Sequence, residues 1–128
     1  MHELRIAENI VSSVQEEMRR RGSSRLRVIG LRIGELTDIV PESLEFGFNI
    51  LIADTELAGA RLEIERVPVQ GHCRDCDCEF EVRDLQFLCP NCGGRSIKTI
   101  CGQELDICFL EIEESIKGEG KTTEVWPG

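Results

Sequence analysis

Two cysteine pairs constrain this 128-residue chain more than any other feature. Cys73-Arg74-Asp75-Cys76 and Cys89-Pro90-Asn91-Cys92 are both C-x-x-C, with twelve residues between them (77 to 88). In such a knuckle two thiolates converge on one ion while following backbone amides stabilise their charge. Gly93 and Gly94 allow the backbone to turn tightly after the second pair. Two knuckles place four sulfurs in a tetrahedron, the closed geometry of structural zinc. Tetrahedral sulfur also suits rubredoxin-like iron, and a C-x-x-C pair can act as a redox dithiol. The scarcity of aromatic residues near the knuckles disfavours electron transfer, and a dithiol does not need two pairs. Structural zinc is the expectation at Cys73, Cys76, Cys89 and Cys92. No ligand position is left open for catalysis.

The other cysteines, Cys78, Cys101 and Cys108, are expected to be non-ligands, with Cys108 a small buried apolar residue. His72, next to Cys73, is expected to be a neighbour of the site or a surface residue. The total of seven cysteines is odd and no secretory signal precedes them, which disfavours a disulfide framework.

Around the cysteines the pattern is that of a small α+β protein. Residues 3–21 read as an amphipathic helix with Ala7, Ile10, Val11, Val14 and Met18 on one stripe. Glu8, Asn9, Ser12, Ser13, Glu16 and Glu17 face away. The run Arg19-Arg20-Arg21 complements the helix dipole, and Gly22 stops the helix. Residues 26–33 are apolar on both phases, as in a central strand. Thr37 or Asp38 through Pro41 should open a second helix with Leu44, Phe48, Leu51 and Ile52 buried. Gly47 would allow it to approach the sheet closely. Residues 60–67 alternate as a half-buried strand, and Pro68 suggests an edge.

From Gln70 to Lys98 only Phe80, Val82, Leu85, Phe87, Leu88 and Ile97 are available for packing, so this segment needs a staple. Residues 105–112 return to strand character, with a phase slip near Cys108 and Phe109. The chain after Ser115 reads as a loosely held tail. The expected fold class is therefore α+β: a small sheet with two helices on one face, plus an inserted zinc-ribbon-like four-cysteine module. In domain terms, 1–69 and 101–128 form a discontinuous α+β domain and 70–100 a zinc-binding module.

Net charge is −9. Phosphate and anionic lipid both require clustered Lys and Arg, so neither nucleic acid nor membrane is expected as a partner. No stretch approaches the roughly twenty apolar residues of a membrane helix. The expected location is cytoplasmic.

The chain end is the remaining candidate site. His is too large to promote removal of Met1. The Met1 amine, the amides of His2 and Glu3, and the His2 imidazole are then close together. Deprotonated amides with imidazole favour a planar nitrogen field, which suits Ni(II) or Cu(II). The alternative is plain helix entry, with Glu3 complementing the helix N-terminus.

These segments together resemble the HypA hydrogenase maturation factor family. The likeness lies in Met1-His2-Glu3-Leu4, in Leu31-Arg32-Ile33-Gly34-Glu35-Leu36, and in Val40-Pro41-Glu42-Ser43-Leu44-Glu45-Phe46. It continues through Gly59-Ala60-Arg61-Leu62-Glu63-Ile64-Glu65, both cysteine pairs, and Gly102-Gln103-Glu104-Leu105-Asp106-Ile107. The resemblance implies a nickel metallochaperone with His2 as principal nickel ligand and backbone nitrogen from Met1 and Glu3. It implies zinc at Cys73, Cys76, Cys89 and Cys92. It also implies action with a HypB-type GTPase on the large subunit of NiFe-hydrogenase, with urease maturation proteins as further partners. Some relatives carry a histidine within or just after the zinc module; this chain has none there, only His72 just before the first knuckle. No catalysis is expected, since there is no Walker or Rossmann phosphate loop and no open metal site. The competing expectation is a zinc-ribbon interaction or nucleic-acid-machinery module without nickel delivery.

Overall fold

The computed structural model describes residues 2–22, 24–114 and 121–126. The element order is α1 (His2–Arg21), β1 (Ser24–Gly34), α2 (Pro41–Ile52), β2 (Arg61–Val67), β3 (Gln70–Cys73), β4 (Glu79–Glu81), β5 (Ile97–Cys101), β6 (Leu105–Glu114) and β7 (Lys121–Val125). The strands form a four-stranded sheet ordered β2-β1-β6-β7 and a three-stranded sheet ordered β4-β3-β5. This is the expected α+β class. The chain divides into two compact units. One comprises 1–31, 39–64 and 107–128, and the other comprises 32–38 and 65–106.

In the first unit α1 buries Ala7, Ile10, Val11, Val14 and Met18, the stripe set by helical spacing. Glu17 departs from the expected polar face and is buried. Its carboxylate is satisfied by Arg20 at 3.4 Å and Arg21 at 3.0 Å, one turn on. Arg21 also pairs with Glu124 of β7, so the basic run does more than complement the dipole. Gly22 takes φ +80 just past the helix, the left-handed conformation that ends it.

The second helix begins later than expected. Thr37 closes a turn, its hydroxyl and amide both donating to the Gly34 carbonyl. Val40 is the N-cap and Pro41 the first helical residue, where its missing N–H costs nothing. Leu44, Gly47, Phe48 and Ile52 are buried, whereas Leu51 is half-buried and Phe46 and Ile50 are exposed. Gly47 faces Leu4 and Ala7 of α1, so the close approach it permits is between helices and not to the sheet.

β1 is an interior strand, and both of its side-chain phases are buried, including Leu26, Val28, Ile29, Leu31 and Ile33. β2 forms one edge of the sheet, with Leu62 and Val67 buried. The other edge is β7, antiparallel to β6 with Phe109 opposite Val125 and Glu113 opposite Lys121. The expectation of a loose tail is therefore corrected for 121–125. The β-branched residues of Lys-Thr-Thr-Glu-Val meet a partner strand that their own polarity does not advertise. The expected tail residues 115–120 lie outside the described residues.

The second unit has few large buried side chains. Of the six apolar residues available between Gln70 and Lys98, only Val82 is fully buried, and Leu85 and Leu88 are exposed. Ile33, Val67, Val69, Cys73 and Cys89 are buried as well. Backbone bonds complete it: Glu35 donates to Val67, Leu36 to Gly102, and Gly34 to Glu104. None of the described helices is long and apolar enough to cross a membrane.

Candidate metal centre

Both knuckles are built by one backbone pattern. The Cys73 amide donates to the Cys78 carbonyl, and Asp77 donates back to the Cys73 carbonyl. Sixteen residues on the pattern repeats: Cys89 donates to the Gly94 carbonyl and Gly93 to the Cys89 carbonyl. The turn requires a left-handed residue after each pair. Gly93 takes it at φ +73 without steric cost, and Asp77 takes it at φ +60. Gly94 is required for space, since a Cβ there would lie 3.2 Å from the Cys92 sulfur and 2.9 Å from the Asp75 carboxylate.

The result is a cluster of four sulfurs, those of Cys73, Cys76, Cys89 and Cys92, all within 4.8 Å of one another. Two of the separations are 3.6 Å (Cys73 to Cys92) and 3.5 Å (Cys76 to Cys89). Zinc–sulfur bonds of about 2.3 Å in a tetrahedron need sulfurs about 3.8 Å apart, so the cluster fits structural zinc. Cys73 and Cys89 are buried, Cys76 half-buried and Cys92 exposed. The amides of Asn91 and Cys92 both reach the Cys89 sulfur at 3.4 Å, and the Asn91 side-chain amide crosses to the Cys76 sulfur at 3.6 Å.

The electrostatics call for a cation. The Cys92 and Asn91 amides outweigh burial and bring the Cys89 thiol down to about 6. Cys92 moves up to about 12: the Gly94 amide favours its thiolate, but hydrogen bonding with Cys73, burial and the other sulfurs outweigh it. Adjacent thiolates repel, and a divalent ion at their centre removes that conflict.

The other cysteines stand apart from the four. Cys78 points its sulfur to the Glu79 carbonyl, and its thiol is pushed up by burial first and then by the charges of Cys89 and Cys76. Cys101 donates to the Pro68 carbonyl. Cys108 is half-buried, not buried as expected. The His72 imidazole lies between Asp77 at 3.1 Å and Glu79 at 3.6 Å, beside the quartet and not in it.

At the chain end, α1 begins at His2. Met1 and the His2 side chain lie outside the described residues. Amides in the first turn of a helix have no intrahelical partner. Glu3 sits in that turn, and its carboxylate accepts from the Val40 amide at 3.1 Å. That bond, with one from Glu3's own amide, brings the carboxyl down from 4.5 to about 2. The sequence reading gave Glu3 a backbone nitrogen for nickel or, alternatively, a complement to its own helix, and missed this contact, since its partner lies 37 residues away. It also missed Asn91, for which the only signal was a polar residue inside the second C-x-x-C.

Comparison with known proteins agrees with this geometry. A family model described as hydrogenase/urease nickel incorporation, metallochaperone, hypA matches residues 1–112. The hydrogenase maturation factor HypA of Roseiflexus sp. (strain RS-1) is 42% identical over 115 residues, which cover 89% of this chain and 94% of that protein. The protein of the same name from Geotalea uraniireducens (strain Rf4) is 40% identical over 113 residues, 88% of this chain and 100% of the relative. The fold resembles the solution structure of the Ni metallochaperone HypA from Helicobacter pylori, with a TM-score of 0.60 at 18% identity, covering 88% of this chain and 98% of that one. A cysteine quartet suited to zinc, carried on this α+β fold and matched from the first residue onward, places the chain in the HypA family of hydrogenase and urease nickel-incorporation metallochaperones.

Proposed function

We propose that this protein binds Ni(II) at its N-terminus and delivers it for maturation of NiFe-hydrogenase. His2 supplies the principal ligand, with backbone nitrogen from Met1 and Glu3. Zinc at Cys73, Cys76, Cys89 and Cys92 is structural and stays in place. Division of labour follows the chain: 1–69 and 101–128 carry nickel, and 70–100 hold zinc. Membership of a family of nickel-incorporation metallochaperones is the observation that carries this reading. It is supported by the start of α1 at His2, since the first-turn amides can be given to a metal without breaking a helical hydrogen bond. A planar nitrogen field selects Ni(II) over tetrahedral Zn(II), and proton competition weakens it at low pH.

The protein carries cargo and performs no catalysis. Its partners are a HypB-type GTPase and the NiFe-hydrogenase large subunit, with urease maturation proteins as a second destination, all in the cytoplasm. An exposed planar site suits transfer, because an incoming donor can approach along the open axis and displace the nitrogens in turn.

Metal analysis of untagged protein after nickel addition tests this. His2→Ala should lose its nickel while keeping stoichiometric zinc. Nickel retained in the variant, or never bound by the wild type, would leave a zinc-ribbon interaction module instead.

A further inference from the structure

We infer that the outer face of α2 is a docking surface for an amphipathic helix of a partner protein, one whose apolar stripe carries Lys or Arg at both ends.

α2 is apolar on two sides. Leu44, Phe48 and Ile52 are buried. Phe46 and Ile50 stand one turn apart on the opposite side, 69% and 60% exposed. An ordinary surface helix has polar residues there. Leu4 of α1 extends the patch: it is 49% exposed, and its side chain lies 3.5 Å from where a Cβ on Gly47 would be. Isolated exposed apolar residues are normal on a protein surface, but neighbours gathered on one face mark a contact site.

Charge says what covers this face. Glu42, Phe46, Ile50 and Asp54 follow at every fourth position, so exposed carboxylates stand at both ends of the apolar pair. No Lys or Arg occurs from Ile39 to Ala60. The last turn of α2 also lacks the basic residue that the negative end of a helix dipole favours. The missing cations therefore come from the partner. A second copy of the chain would bring the same carboxylates against themselves in a two-fold contact. Anionic membranes and nucleic acids are repelled for the same reason. Residues 42 to 54 span about 18 Å of helix axis, roughly three turns. A partner helix laid along them meets Phe46 and Ile50 with its apolar stripe and sets its Lys or Arg against Glu42 and Asp54. The charged ends speed encounter and fix register, while the apolar centre holds the complex.

The probe is a synthetic helical peptide with a leucine stripe and Lys at both ends, titrated into isotope-labelled, zinc-loaded protein. Amide shifts should concentrate on α2 and the start of α1. Phe46→Ser and Ile50→Ser should each weaken binding by ~10-fold, as for anchors at the centre of an interface. Glu42→Gln combined with Asp54→Asn should flatten the salt dependence, and a peptide with Glu in place of Lys should not bind. Zinc content and the helical signal should be unchanged in every variant, since these side chains are exposed and none belongs to the zinc quartet. Full affinity in both serine variants, shifts centred elsewhere, or equal binding of the Glu peptide overturns the inference. A wild-type dimer in sedimentation that Phe46→Ser dissolves also overturns it, in favour of a second copy as the occupant.

Discussion

Asn91 shows how much a single residue can do in a four-sulfur site. Its backbone amide donates to Cys89 and its side chain to Cys76, so it braces one knuckle and reaches the other. Donors to a metal-bound thiolate spread its charge and fix its direction. Asn91→Ala removes the side-chain donor alone. It should lower zinc affinity by about 10-fold or more, measured by chelator competition. Glu3 carries a pH signature. Its carboxyl is depressed from 4.5 to about 2, so its contribution to stability is complete above the ordinary value. That contribution is lost as pH falls through about 2, which the Val40 amide shift should report. Neither residue's role was legible from local spacing. The C-x-x-C pairs were, because both partners in a knuckle lie within one turn of chain. Asn91 acts on a sulfur 15 residues away, and Glu3 on an amide 37 away.

Elements respond to glycine in opposite ways. A Cβ on Gly47 of α2 would meet Leu4 at 3.5 Å and Ala7 at 3.9 Å, ordinary contact distances. Gly47→Ala should therefore stabilise the protein by about 0.5–1 kcal/mol through helix propensity and reduced unfolded-state entropy. A Cβ on Gly30 of β1 would fall 2.1 Å from the Phe109 ring. Gly30→Ala should destabilise by about 1–3 kcal/mol as the ring is displaced. Denaturant melts of the two variants give the comparison. The helical stripe of α1 was readable because its period matches its buried face. The burial of Glu17 was not, since Arg21 and its further partner Glu124 supply the compensation. For the same reason β7 escaped notice: a short polar strand acquires its structure from β6.

At the scale of the molecule, the two compact units are stabilised differently. The first buries large side chains such as Phe48, Leu44, Leu26 and Val14. The second has Ile33, Val67, Val69 and Val82, together with Cys73 and Cys89. Metal binding in such a unit is folding free energy, with apparent values of about 10–16 kcal/mol for structural zinc peptides. Removing zinc with a strong chelator should erase amide-exchange protection in β3, β4 and β5. Protection in α1 and α2 should persist. Uniform loss throughout the chain would show that zinc supports the whole structure.

Composition and spacing by themselves determined the class of fold, the two helices, the interior strand β1 and the four-cysteine quartet. Each of these is encoded by residues close in sequence or by a repeating period, so short-range physics is enough to read it. Only the tertiary structure decided that α2 starts after a turn closed by Thr37, that β7 completes the sheet, that Glu17 is buried, and that Glu3 caps a helix other than its own. In each case the deciding partner is a backbone amide, a strand or a charge brought near by folding, and its distance along the chain is what hid it.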